Sequence, residues 1–214
     1  MTRTILDTAD VPAHDAFVEK KSEFIGDACH IDDLDAALAF VEHIRELHPK
    51  SRHVAYAAIV TDNTGRVMER MSDDGEPSGT AGKPILDVLR ANGLTDCVVA
   101  VTRYFGGILL GSGGLIRAYS TGASIAVKAA RKARIVQCRQ YRVRLDYAQL
   151  GMFQQLLAMC DGAQTDATFT DHVEVTCAVP MELEERFLDR VRESFNAAVV
   201  PQTLGLVARP VEER

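Results

Sequence analysis

The stretch Cys97–Arg117, CVVAVTRYFGGILLGSGGLIR, decides which fold the rest of the chain must build. Cys97–Tyr104 is a largely apolar run, the pattern of a buried strand. A glycine-rich turn follows, and a helical pattern runs from about Gly113 to Arg131. Strand, glycine turn and helix are the setting of a dinucleotide fingerprint. Counted from Gly111, however, G-x-G-x-x-G puts Ile116 where the third glycine belongs. About 20 residues on, where a ribose-binding acid is needed, stand Arg131, Lys132 and Arg134. A Rossmann site is therefore not expected. Ser112 reads as a cap for the helix, and the glycines allow close backbone approach or positive φ. Arg103 and Arg117 are placed to reach an anion at the helix start, or to pair with acids upstream.

Those acids lie in Met71–Pro84, MSDDGEPSGTAGKP. A Walker loop fails here, because Pro77 stands in place of its first glycine and Pro84 in place of its hydroxyl residue. A calcium loop fails because Asp73-Asp74-Gly75-Glu76 has the wrong alternation. Asp73, Asp74 and Glu76 retain the option of a magnesium site, since one or two carboxylates beside a phosphate suffice. Locally, Ser78 or Thr80 is expected to cap the next helix. Pro84 suits its first turn, and the helix-start amides with Lys83 could take an anion.

Nothing else offers a nucleophile. There is no G-x-S-x-G elbow and no H-E-x-x-H pair, and His53 on a strand reads as structural. Five scattered cysteines, without zinc spacing, read as buried free thiols in a reducing cytoplasm. The N-terminal residues lack a secretory apolar segment and no run approaches a membrane span, so no membrane partner is expected. No cofactor and no resident metal are called for.

The net charge of −6 is unevenly spread. Lys128, Arg131, Lys132, Arg134, Arg139, Arg142 and Arg144 form a band without a single acid. Such a band can lie against a phosphate backbone, which makes Lys128, Arg131, Lys132, Arg139, Arg142 and Arg144 candidate nucleic-acid contacts. Its plainer reading is the solvated end of a helix followed by a strand.

Periodicity yields two units. The first, residues 1–133, reads β-α-β-β-α-β-α, with strands at Ser22–Ile31, His53–Val60, Arg66–Met71 and Cys97–Tyr104. Its Asp62-Asn63-Thr64-Gly65 segment is a hairpin signal. The second, residues 134–214, reads β-α-β-β-α-β, the ferredoxin-like plan.

Two segments, SDDGEPSGTAGKPIL and VVAVTRYFGGILLGSGGLIRAYS, closely resemble the bacterial branch of the Impact/YigZ family. The resemblance covers the first unit to about residue 130, and the second unit looks like the smaller domain that follows it in bacterial members. It implies an α+β chain of two domains, a ribosomal protein S5 domain 2-like one followed by a ferredoxin-like one. Both are similar to the last two domains of elongation factor G. Eukaryotic Impact proteins regulate translation initiation through an additional RWD domain without counterpart in this sequence, so their partner is not carried over. The family pattern sets the Asp73–Gly82 loop beside Arg103, Tyr104 and Phe105.

Three functions follow. A non-enzymatic, translation-linked protein would bind RNA or the ribosome through the basic band. Alternatively, an enzyme or binding protein would hold a phosphorylated or nucleotide ligand between the Asp73–Lys83 and Arg103–Arg117 loops, with Asp73, Asp74, Glu76, Ser78, Thr80, Lys83, Arg103, Ser112 and Arg117 as contacts. A protein-interaction module would instead use the Tyr104-Phe105-Gly106-Gly107 turn.

Overall fold

The computed structural model describes residues 2–62 and 64–212. It divides the chain into two units between Arg134 and Ile135. The first contains β1 (Arg3–Ile5), β2 (Ala13–Glu19), β3 (Ser22–His30), α1 (Leu34–Leu47), β4 (His53–Thr61), β5 (Val67–Ser72), α2 (Gly82–Ala91), β6 (Cys97–Tyr104) and α3 (Ser112–Ala129). The dividing strand, β7, runs from Lys132 to Leu145. Strands β2 to β6 form a five-stranded antiparallel sheet in the order β2-β3-β6-β4-β5. The short β1 pairs with the first three residues of β7.

The central strands are apolar at nearly every position because helices cover both faces. Val54, Tyr56, Ala58, Val98 and Ala100 pack with Phe40, Val41 and Ile44 of α1. The alternate residues Ala55, Ala57, Ile59, Cys97, Val99 and Val101 pack with α2 and α3 through Ile85, Leu89, Leu115 and Tyr119. Helix α1 starts where Asp33 accepts the Ala36 N–H at 2.7 Å, and stops at His48, ahead of Pro49. Helix α3 lies so close to the sheet that a Cβ on Gly26 would come within 2.3 Å of the Gly122 carbonyl oxygen.

Two strands of this unit escape the sequence pattern. Six of the seven residues of β2 are exposed or half-buried, because it is an edge strand paired only with β3. Strand β1 is too short for any periodicity to show. In the β4–β5 hairpin the Asp62 carboxylate accepts the N–H groups of Thr64 and Arg66 at 2.8 and 3.0 Å, and Gly65 takes a φ of 83°. Asn63 of the expected turn lies outside the described residues.

The second unit continues β7 with α4 (Tyr147–Ala158), β8 (Ala163–Phe169), β9 (Val173–Pro180), a 3-10 turn (Met181–Leu183), α5 (Glu184–Ser194) and β10 (Gln202–Glu212). The sheet order β10-β7-β9-β8 and the βαββαβ chain order are ferredoxin-like. The α+β class, with an S5 domain 2-like unit followed by a ferredoxin-like one, thus holds. Helix α4 begins earlier than the apolar spacing from Leu150 suggests, because Asp146 and Gln149 close its start: the Asp146 N–H donates to Gln149 Oε1 at 2.8 Å. After Pro180 the chain makes the 3-10 turn Met181–Leu183 before α5 begins. Phe153 and Leu157 of α4 and Phe187 and Val191 of α5 cover Tyr141, Val143, Val175 and Cys177.

All five cysteines are free and buried. Burial, reinforced by Asp27 and Asp7, pushes the Cys29 thiol up to about 12. No helix among the described residues is long and apolar enough to cross a membrane.

Candidate functional site

The crowded acids of the 71–84 loop have three separate jobs. Asp73 holds the start of α2. Its Oδ2 accepts the Gly79 N–H at 2.8 Å, and its Oδ1 accepts those of Ala81 and Gly82 at 3.0 and 2.9 Å. Burial would raise its pKa, but these three backbone bonds outweigh burial and hold the carboxyl below the usual range. The helix-start amides expected to bind an external anion are therefore already occupied by Asp73. Neither Ser78 nor Thr80 caps the helix: its N-cap is Ala81, and the Thr80 hydroxyl donates to the Pro77 carbonyl at 2.6 Å. Lys83 turns outward to Asp87, one turn along, at 2.5 Å.

Asp74 ties the loop to α1 and β4. It receives both terminal nitrogens of Arg45 at 3.0 and 2.7 Å, and the Val54 N–H at 2.6 Å. Burial again opposes ionisation, while Arg45, the Val54 N–H and His53 prevail and lower its pKa. The Asp74 carbonyl lies 2.6 Å from His53 Nδ1. A carbonyl can only accept, so Nδ1 carries the proton. The other ring nitrogen, Nε2, then lies 3.9 Å from Glu76 Oε1.

Glu76 is the buried acid. Its Oε1 accepts from Arg103 Nη1 at 2.6 Å and from the Tyr119 hydroxyl at 2.9 Å. Burial, then the charge of Glu76, pushes the Tyr119 phenol far up, so it remains a donor. The Arg103 guanidinium carbon sits 5.5 and 5.4 Å from the ring centres of Phe24 and Phe105. Arg103 Nε is buried with no hydrogen-bond partner.

These side chains open on a cavity of about 200 Å³ lined by Arg52, His53, Glu76, Arg103, Phe105 and Leu109. His53, expected to be structural, thus lines this cavity, and Arg52 joins it. The antiparallel register that sets His53 opposite Arg103 explains this, and one sequence does not reveal it. Tyr104 points the other way, since neighbours on a strand alternate; its hydroxyl meets His48 Nδ1 at 3.1 Å.

Arg117 is not part of this cluster. It lines a different cavity, about 240 Å³, with Phe17, Lys20 and Leu110. Ser112 is the first helical residue and not the cap, which is Gly111 with a φ of 73°. The two expected loops therefore do not merge into one cleft of the expected residues. Asp73, Asp74 and Glu76 do not converge on a magnesium position either. No group of three His, Cys, Asp or Glu is arranged to hold a metal ion among the described residues.

The basic band is largely offset by acids. Arg131 meets Asp7 at 3.3 Å, Arg139 meets Glu184 at 3.2 Å, Arg142 meets Glu174 at 3.3 Å and Arg144 lies 3.9 Å from Asp171. Lys132 reaches the Ala130 carbonyl at 3.5 Å, and Lys128 stands exposed in the last turn of α3. A gap of acids in the sequence is therefore not a gap in space.

The fold and site define a two-unit α+β protein whose first unit carries a buried Arg–Glu–Tyr network beside a small cavity. Residues 20–127 match the Impact N-terminal domain, and residues 143–198 match a domain of unknown function, DUF1949. The chain belongs to the Impact family. It is 40% identical to the IMPACT family member YigZ of Escherichia coli K12 over 163 residues, 75% of this chain and 79% of the relative. It is 32% identical to the IMPACT family member YvyE of Bacillus subtilis 168, over 86% of this chain and 83% of the relative. A solved structure described as that of a hypothetical protein is similar at a TM-score of 0.58 and 33% identity, covering 95% of this chain and 98% of its own.

Proposed function

We propose that this Impact-family protein is a translation-linked regulator of the cytoplasm that acts by binding RNA or the ribosome and not by catalysis. The observation that supports it best lies on β7 of the second unit. Arg142 and Arg144 are exposed and two residues apart, so they share the sheet face opposite the helices. Of their partners, Glu174 is half-exposed and Asp171 is exposed. Surface pairs of this kind are worth about 0–1 kcal/mol, so a phosphate can replace either acid at little cost. Arg139 is held more firmly, sharing the Glu184 carboxylate with the Tyr141 hydroxyl.

The test is co-sedimentation of the purified protein with ribosomes and with structured RNA at low and raised salt. Association should weaken steeply with salt, and the double variant Arg142→Glu, Arg144→Glu should lower both the binding and its salt slope. No association at any salt, or association indifferent to the double variant, overturns the proposal.

A further inference from the structure

We infer that the cavity beside Arg103 in the first unit is a binding site for a small oxyanion, a phosphate or carboxylate carried on an apolar or planar body. This goes beyond the proposed role of β7 and uses none of its residues.

The charges favour an anion. Arg52 and Arg103 both line the cavity, whereas Glu76 is the one acid in its wall. Glu76 and Arg103 offset one another, since Glu76 Oε1 accepts from both Arg103 and Tyr119, so the net positive charge of the wall is that of Arg52. Arg52 is exposed, and its side chain enters no ion pair among the described residues. His53 offers Nε2 from a ring whose orientation is set by the Asp74 carbonyl.

Arg103 itself carries an unmet donor. Its side chain is only 6% exposed, one end is fixed by Glu76, and Nε has no partner. Buried donors are nearly always satisfied, and an exception calls for a missing water, ion or ligand. Phe105 covers the guanidinium from the cavity side of β6 and is 40% exposed, so its ring also faces solvent. Gly107, two residues on, has a φ of 84°, and Leu109 is 82% exposed. Arg52 and Arg103 line the part of the cavity that takes the anionic head, while Phe105 and Leu109 supply apolar surface for the rest of the molecule. The cavity is smaller than the roughly 300–1,000 Å³ of drug-sized sites, so it encloses the anionic head and leaves the body partly outside.

The experiment is isothermal titration of the whole chain with inorganic phosphate, adenosine monophosphate, benzoate and adenosine. Phosphate-bearing probes, benzoate or both should bind, and adenosine should not. Arg52→Ala should weaken binding about tenfold or more, as expected for loss of a charge-assisted contact. Phe105→Ala should weaken adenosine monophosphate or benzoate more than inorganic phosphate. Both positions are at the surface, so a melting curve close to wild type shows the fold intact. Arg142→Glu with Arg144→Glu should leave these affinities unchanged, which separates this site from the β7 proposal. Preference for phosphate over benzoate, or the reverse, identifies the head group and supports the site. Failure of all three anions to bind the folded protein overturns the inference. So does binding that Arg52→Ala and Phe105→Ala leave unaltered.

Discussion

Arg103 with Glu76 and Arg142 with Glu174 are the same pair of residue types in opposite surroundings. The first pair lies 2.6 Å apart with side chains 6% and 4% exposed. The second lies 3.3 Å apart with side chains 47% and 41% exposed. Water screens the outer pair and competes for each partner, so it adds little stability and is open to exchange. The inner pair has lost its hydration, and each charge depends on the other. One pair holds the site together, while the other leaves an arginine available to a partner.

Breaking the inner pair should have the largest effect. Glu76→Ala leaves Arg103 charged and buried, and should cost about 3–5 kcal/mol in denaturant unfolding. A loss under about 1 kcal/mol would show that water already solvates Arg103 and would erase the contrast.

Next comes Asp73, whose carboxylate is neither fully buried nor fully exposed. Removing its three backbone bonds with Asp73→Ala should cost about 2 kcal/mol and loosen the start of α2. The pH dependence has a definite sign. The folded pKa of Asp73 lies below its ordinary value, so its contribution is fully present above the unfolded pKa, about 3.9. It is lost as pH falls through the folded value. Wild type should therefore lose stability more steeply below about pH 4 than Asp73→Asn. Parallel acid unfolding curves would place the stabilising interaction elsewhere.

The smallest effect belongs to the outer pair. Arg142→Ala should change stability by less than about 1 kcal/mol, and raised salt should shrink even that. A larger loss in thermal melts would mean that Arg142 is structural and not free to meet phosphate.

Much of the fold was legible where burial imposes a pattern. Cys97–Tyr104 emerges with the same ends in the sequence and the structure, because both faces of β6 are covered and Cys97–Val101 is an unbroken apolar run. The sequence offers Asp32 or Asp33 as the cap of α1, and the structure gives the role to Asp33, whose carboxylate accepts the Ala36 N–H three residues on. Edge strand β2 was invisible, since most of its side chains meet solvent and obey no apolar rhythm. The 71–84 and 97–117 segments were recognisable as special, but their division of labour was not. Asp73 reaches amides six to nine residues ahead, beyond the usual capping spacing. Arg103 and Glu76 are 27 residues apart, and Glu76 and Tyr119 are 43 apart.

The sequence by itself determined the α+β class, the ferredoxin-like chain order and the presence of two glycine-rich, functionally suggestive loops. Those properties depend on local spacing and on side-chain polarity, which neighbouring residues display. Tertiary structure decided which charges are paired. Antiparallel pairing of β4 with β6 sets His53 opposite Arg103, and α3 carries Tyr119 to Glu76. It also decided that the acid-free run from Lys128 to Arg144 is met by acids from distant segments, among them Asp7, Glu174 and Glu184. Electrostatic interactions act through space and strengthen with burial, and neither separation nor burial can be read from order along the chain.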